Sequence, residues 1–382
     1  MGILDLLLSR LRIADDRLFS EADSPIVKKI QFRGVFPVGD EPKEVGFVFS
    51  VFAEDSSGAL APVFSMVDAF QEDLTHVYHM KRRVGRVTEG MVVRDWVTIG
   101  AVVPMILHPP YGGACDLVVR VRLVDWQDDM KIIAGHVLNE DAVLWQKDIS
   151  FHHVFTDKGY KEAMRDREEA QAISIKIAVE VAMADGELHE REKDVIRAWA
   201  NKAVEGYSED KKKSLKALYR KALQEGYEDA TRDVTAGLQS RQQARLSRLL
   251  SRLRDIGEKK AMYDMVELVY DIMTADGKIA KEEMALVRFI EKGVDLDTKK
   301  LEAIRDIKMI GAGSLDLSGG ELSLEDRVGI DPQWGHDKIM AHIKREHAKW
   351  NGRLSTLSSP EERAHAQRML DDLGKARKKY GK

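Results

Sequence analysis

The chain has almost no cysteine. A single thiol, Cys115, serves 382 residues. That excludes a disulfide framework and a zinc site built on cysteines, and it suits a reducing, cytoplasmic compartment. Charge of one sign is not in excess either. Lys and Arg number 60 against 64 Asp and Glu, a formal net charge of −4, so no global field argues for nucleic acid. Long apolar runs are missing. Residues 2–13 are leucine-rich, but about 20 apolar residues are needed to cross a bilayer. With Arg10 and Arg12 within or beside it, this run is expected to be a helix packed on its own protein or on a partner. No transmembrane segment and no secretory signal are expected. The signatures of common catalysts are absent too: there is no Gly-rich phosphate loop, no nucleophile elbow and no His-Glu-x-x-His. The expectation is a protein that is not an enzyme.

What is present divides into parts. The length allows two or three domains with proper cores. The pattern predicts an α+β multidomain chain: an N-terminal helical segment over 1–25, an antiparallel β-sandwich over 26–158, an all-α domain over 165–308, a linker over 309–323 and a helical hairpin over 324–382. In the β region, residues 45–53 read Val-Gly-Phe-Val-Phe-Ser-Val-Phe-Ala, a buried strand. A turn follows at 54–58, then strands over 62–66 and 91–103, the latter bent at Gly100. Residues 117–124 alternate in part, with Arg120 and Arg122 expected toward water, and residues 131–138 are expected to pair with them across a turn at 127–129. No catalytic constellation stands out. His152 and His153 are adjacent, so in a strand their rings point to opposite faces and cannot share a metal. The loop around Tyr111 reads either as a plain surface loop or as a rigid platform for a partner.

The helical middle contains a repeat. Met183-Ala184-Asp185-Gly186-Glu187-Leu188-His189-Glu190-Arg191-Glu192 returns as Thr274-Ala275-Asp276-Gly277-Lys278-Ile279-Ala280-Lys281-Glu282-Glu283. In each copy Gly ends one helix by adopting positive φ, Asp bonds backbone N–H groups in the turn, Leu188 or Ile279 pins the connector, and Glu192 or Glu283 enters the first turns of the next helix. Asp-Gly-x-apolar-x-x-x-Glu is also the second half of a calcium loop. One half-loop supplies too few oxygens, whereas two that converge would supply four carboxylates. A capped hairpin used twice for structure and a shared cation pocket both remain open. Four arginines add a second pattern: Arg241, Arg245, Arg248 and Arg252 fall in one helical stripe about 60° wide. Such a stripe either holds phosphate or an acidic partner surface or is a solvated face balanced by acids. Double-stranded nucleic acid is not favoured, because groove-reading signals do not accompany it.

The paired motif resembles the TerB-like domain of tellurite-resistance and general stress proteins, over about residues 168–308. The resemblance implies an internally duplicated all-helical domain that binds a divalent cation, calcium or magnesium, through Asp185, Glu192, Asp276 and Glu283. Farther on, Val328-Gly329-Ile330-Asp331-Pro332 and two helices, 338–350 and about 361–380, resemble a J-domain over about 324–380. The His-Pro-Asp tripeptide that such domains carry between helices is replaced by Lys349-Trp350-Asn351-Gly352-Arg353. Hsp70 stimulation is therefore not expected, and a hairpin that docks a protein partner is. Together these features suggest a cytoplasmic adaptor of a bacterial stress-response or phage-defence system. The alternatives are a structural subunit working with an ATPase or nuclease, and a metal-dependent hydrolase using the same acids.

Overall fold

The computed structural model describes residues 9–381 apart from 22–23, 55–57, 73, 127–129, 236–238, 276–278, 312–322, 355–356 and 358–359. The chain divides into two compact units, residues 1–165 and 166–382. The first is built of antiparallel sheets and the second of helices, an α+β arrangement.

In chain order the strands are β1 (Arg10–Arg17), β2 (Ile26–Val35), β3 (Lys43–Glu54), β4 (Leu60–Pro62), β5 (Phe64–Ser65), β6 (His79–Val87), β7 (Val92–Val102), β8 (Leu107–His108), β9 (Gly113–Asp125), β10 (Ile132–Ile133), β11 (His136–Val137) and β12 (Val143–Phe155). One sheet has the order β1-β2-β7. The larger has the order β12-β9-β3-β4, with β6 also paired to β3. The two sheets share a core. Ile30, Phe32 and Ile99 from the first meet Phe47, Phe49, Val119 and Val121 from the second. β3 is buried at every position from Val45 to Ala53. Alternate residues face that core, while Val48 lies in a second cluster with Val124, Ile132 and Val137.

That second cluster corrects two expectations. Residues 131–138 do not add to β9, which is flanked by β3 and β12. Their β10–β11 hairpin pairs with itself and contributes Ile132 and Val137 to the cluster with Val48 and Val124. Arg122, on β9, is therefore buried and not in water. Its guanidinium donates to Gln146 Oε1 at 2.9 Å and to Ser50 Oγ at 3.3 Å. Burial, with Arg120 adding to it, pulls its pKa down to about 10. Arg120 pairs with Asp148 across the sheet. A third expectation also changes: residues 10–17 form β1, not part of a helix. Leu11 and Ile13 pack on the core while Arg12 donates to Gln31 Oε1 on β2, a period of two that the leucine run concealed. The turns expected at 54–58 and 127–129 lie mostly outside the described residues. Gly100 is flanked by a bulge between Ile30 and Gln31 in the β2–β7 register.

The helices are α1 (Tyr160–Ala182), α2 (Glu190–Ala203), α3 (Glu209–Thr235), α4 (Gln239–Ile256), α5 (Lys259–Met273), α6 (Lys281–Gly293), α7 (Thr298–Gly311), α8 (Leu324–Val328), α9 (His336–Leu354) and α10 (Pro360–Tyr380). The first turn of α1 is fixed in the first unit. The Glu162 carboxylate accepts the N–H groups of Gly112 and Gly159 at 2.7 and 2.9 Å. Gly159 must be glycine here, because a Cβ would stand 2.3 Å from Pro110 C and Tyr111 N. The Tyr111 loop is thus tied to the helix start, with Tyr111 itself exposed.

In the second unit one core is drawn from α1 to α7. Ile175, Val179, Leu246, Leu250, Met265, Val269 and Val287 are among its buried members. α5 is its central helix, apolar on most of its circumference. A separate cluster, with Val328, Ile330, Ile343, Trp350 and Leu373, joins α8, α9 and α10. Asp306 on α7 bridges the two. Its carboxylate lies 2.5 Å from Lys349 Nζ and 3.1 Å from Arg353 Nη1. Among the described residues, no helix is long and apolar enough to cross a membrane.

Candidate functional site

The first repeat unit can be followed atom by atom. Gly186 ends the α1 segment at φ 99°. Asp185 Oδ1 accepts the Glu187 N–H at 3.0 Å, and its other oxygen lies 3.5 Å from His189 Nε2. Leu188 packs on the core. Glu192, only 2% exposed, reaches back to accept the His189 N–H at 2.8 Å. The second unit repeats the last steps: Ile279 is buried, and Glu283 accepts the Ala280 N–H at 2.9 Å. These glutamates are the acidic half of a capping box, satisfying a donor that a helix start otherwise leaves unmet.

Hard carboxylate oxygens suit calcium or magnesium. Here, however, one oxygen of Glu192 and one of Glu283 serve their own helices. Asp276 lies outside the described residues. Among those described, no three His, Cys, Asp or Glu side chains stand together as a metal site requires.

The arginine stripe on α4 is divided. Arg245 donates through Nε to Glu180, a carboxylate 1% exposed. Arg252 grips Glu169 with two N–H groups at 2.6 and 2.7 Å. Both partners belong to α1, so half of the stripe clamps α4 to α1. Arg241 and Arg248 are exposed, and neither pairs with a described residue.

A wide concavity of the helical unit lies elsewhere, between α2 and α5, with residues of α1 and α7 also lining it. It encloses about 920 Å³. Trp199, Val195 and Ala198 of α2 form one wall, Tyr207 closes it beyond Gly206, and Lys260, Asp264, Glu267, Leu268 and Asp271 of α5 form the other. Trp199 packs on the core and also faces this cleft. Behind it the Tyr219 hydroxyl donates to Gln171 Oε1 at 2.7 Å, and burial pushes its pKa up to about 12. Lys308 of α7 reaches Asp271 at 2.7 Å. The cleft therefore offers an aromatic–apolar floor rimmed by both signs of charge. One pattern in the sequence marks it: Lys260, Asp264, Glu267 and Asp271 follow the same 4-3-4 helical spacing as the arginines, beside the apolar face of α5.

In the first unit, His152 Nδ1 lies 2.9 Å from Asp116 Oδ1, and the His153 ring stands edge-on to Phe155, at 4.7 Å between centroids. No protein-family model, no curated protein and no solved structure matches the chain.

Proposed function

We propose that the protein is a partner-binding adaptor whose helical unit receives an amphipathic helix of another protein in the cleft between α2 and α5. The observation that carries this reading is the cleft itself. It is lined by Trp199, Val195 and Leu268, with Lys202 on the α2 side and Lys260, Asp264 and Glu267 on the α5 side. Apolar anchors within a charged rim are what a helix-in-groove contact uses. In this reading the β unit, β-sandwich-like, and the J-like hairpin lacking His-Pro-Asp add further docking surfaces. The system served is a cytoplasmic stress-response or phage-defence assembly, as the TerB-like resemblance suggests. A photo-crosslinking side chain at Ala198 tests it. The same protein partner should be trapped from Ala198, not from a control position on the far side of α3 such as Glu228, and Trp199→Ala should abolish the product. Equal trapping from both positions would sink the proposal.

Cation binding by Asp185, Glu192, Asp276 and Glu283 belongs to the same proposal as its regulator. An ion that neutralises converging acids would stiffen the two helix junctions, which lead into α2 and α6. Calorimetric titration with calcium and with magnesium decides it. Heat that is absent at millimolar metal, or unchanged in Asp185→Ala/Asp276→Ala, removes the regulator. A second reading, a structural subunit beside an ATPase or nuclease, draws on the exposed Arg241 and Arg248. It requires stable co-purification with such a partner and sensitivity of that complex to Arg241→Glu/Arg248→Glu.

A further inference from the structure

A second, much smaller cavity lies where α5, α6 and α7 meet the C-terminal helices. It holds about 60 Å³. A water molecule's share of the liquid is about 30 Å³, so this space takes a group of a few heavy atoms and not a nucleotide.

The polar groups around it do not balance. Its acids are satisfied: Glu291 Oε1 accepts the Tyr270 hydroxyl at 2.8 Å. Asp306 Oδ2 takes Lys349 and Arg353 at 2.5 and 3.1 Å. Glu346 takes Lys349 at 2.9 Å and Arg345 at 3.4 Å. What is left over is on the nitrogen side. Trp350 and His365 line the cavity at 2% and 3% exposure, and neither Trp350 Nε1 nor His365 Nε2 meets a hydrogen-bond partner. Indole N–H can only donate, and His365 Nε2 donates whenever it carries the proton. Arg305, half-buried on the same wall, makes no hydrogen bond to any described residue, and against burial its pKa is kept raised by the nearby Tyr270, Glu291, Asp306 and Glu346. Buried donors left in this state cost stability unless an acceptor reaches them. A guest that brings acceptors alone, and charge opposite to a guanidinium, is an anion.

We propose that this cavity binds a small free oxyanion of the phosphate class, held by Arg305, Trp350 Nε1 and His365 Nε2, between the helical body and the C-terminal hairpin. The site stands apart from the cleft and needs no partner protein. Because α7 supplies Arg305 while α9 and α10 supply Trp350 and His365, an anion there ties hairpin to body from inside.

The test uses the full chain and inorganic phosphate at constant ionic strength, read on the indole N–H resonances. There are six tryptophans, and Trp350→Phe identifies the signal that matters. That signal should move saturably, with half-saturation at about a millimolar or below. Arg305→Gln should weaken the effect at least about tenfold, since it removes the charge-assisted bonds. Should that variant not fold, Arg305→Lys keeps the charge, loses the planar fork, and should weaken binding about threefold or more. Matched sodium chloride and phosphoserine should leave the signal in place. The proposal is overturned by an immobile signal up to tens of millimolar phosphate, which would mean water alone fills the cavity. It is equally overturned by the same response to chloride, by binding unchanged in the Arg305 variants, or by phosphoserine binding as well as phosphate.

Discussion

Two arginines on one face of α4 should differ in what they contribute, although both hold a carboxylate on α1. The Arg245–Glu180 pair is nearly enclosed, with side chains 17% and 1% exposed. The Arg252–Glu169 pair has the better geometry, two N–H donors, but both ends are open to water. At an effective dielectric of about 20, unit charges about 4 Å apart attract by about 4 kcal/mol. Breaking such a pair while its acid stays buried costs about 3 kcal/mol after relaxation. For an exposed pair, screening and side-chain entropy leave about 0.5–1 kcal/mol. Arg245→Met should therefore cost about 3 kcal/mol, Arg252→Met under about 1 kcal/mol, and Arg241→Ala or Arg248→Ala about nothing. Urea unfolding followed by helix ellipticity reads this directly. With a slope of about 2 kcal/mol per molar, Arg245→Met lowers the midpoint by about 1.5 M and Arg252→Met by about 0.5 M or less. Glu180→Leu combined with Arg245→Met should recover more than half of the loss. Equal costs for the two arginines, or a double variant worse than the sum of the singles, would refute the claim that burial governs the pair.

Other expectations are as specific. Gly159→Ala places a methyl group inside Pro110 and Tyr111 backbone atoms and should cost about 3 kcal/mol, seen as a lowered melting temperature of the β unit. The Glu325 carboxyl is held down to about 2, chiefly by the bond from Lys379, against burial and with help from the Tyr380 hydroxyl. A folded value below the ordinary 4.5 means that its contribution is complete above that pH and is lost as the pH falls toward 2. Given the exposed Lys379 end, it amounts to about 1–2 kcal/mol. Melting curves of Glu325→Gln should show that part of the acid slope removed. Glu192→Ala and Glu283→Ala should each lower stability by about 1–2 kcal/mol through lost capping. A cost that is the same with and without millimolar calcium marks them as caps alone, whereas a larger cost with calcium marks them as ligands too.

The local steps of the first repeat were legible in advance because each rests on one residue's own chemistry: Gly186 at positive φ, Asp185 on the next turn's N–H, Glu192 folding back on its helix start. The strands over residues 45–53 and 117–124 were legible for the same reason, through their β-branched and aromatic content. What resisted reading depended on distant neighbours. Arg122 sits on an alternating strand and looks solvated until the cluster that β10–β11 builds with Val48 and Val124 is seen. β1 looked helical because leucine dominates its flank, and only pairing with β2 reveals its period. The arginine stripe was visible as a stripe, but its division into clamp and open half required Glu169 and Glu180 on another helix. Of the cleft only the α5 wall has a signature, the charged run from Lys260 to Asp271; the rest of it and the oxyanion cavity have none, since helices far apart in sequence build each.

β12 ends its sheet with thirteen residues, and among the described residues it hydrogen-bonds only to β9. β1 approaches β12 without forming a ladder with it among the described residues, and an edge of this kind invites another chain to zip alongside. Gln146, Lys147 and Asp148 at its middle, and His152 farther along, face the solvent, so an incoming strand would have to bury polar and charged groups to dock. Turning Lys147 into valine should move a well-behaved solution toward self-association, with no change to the fold of the individual molecule.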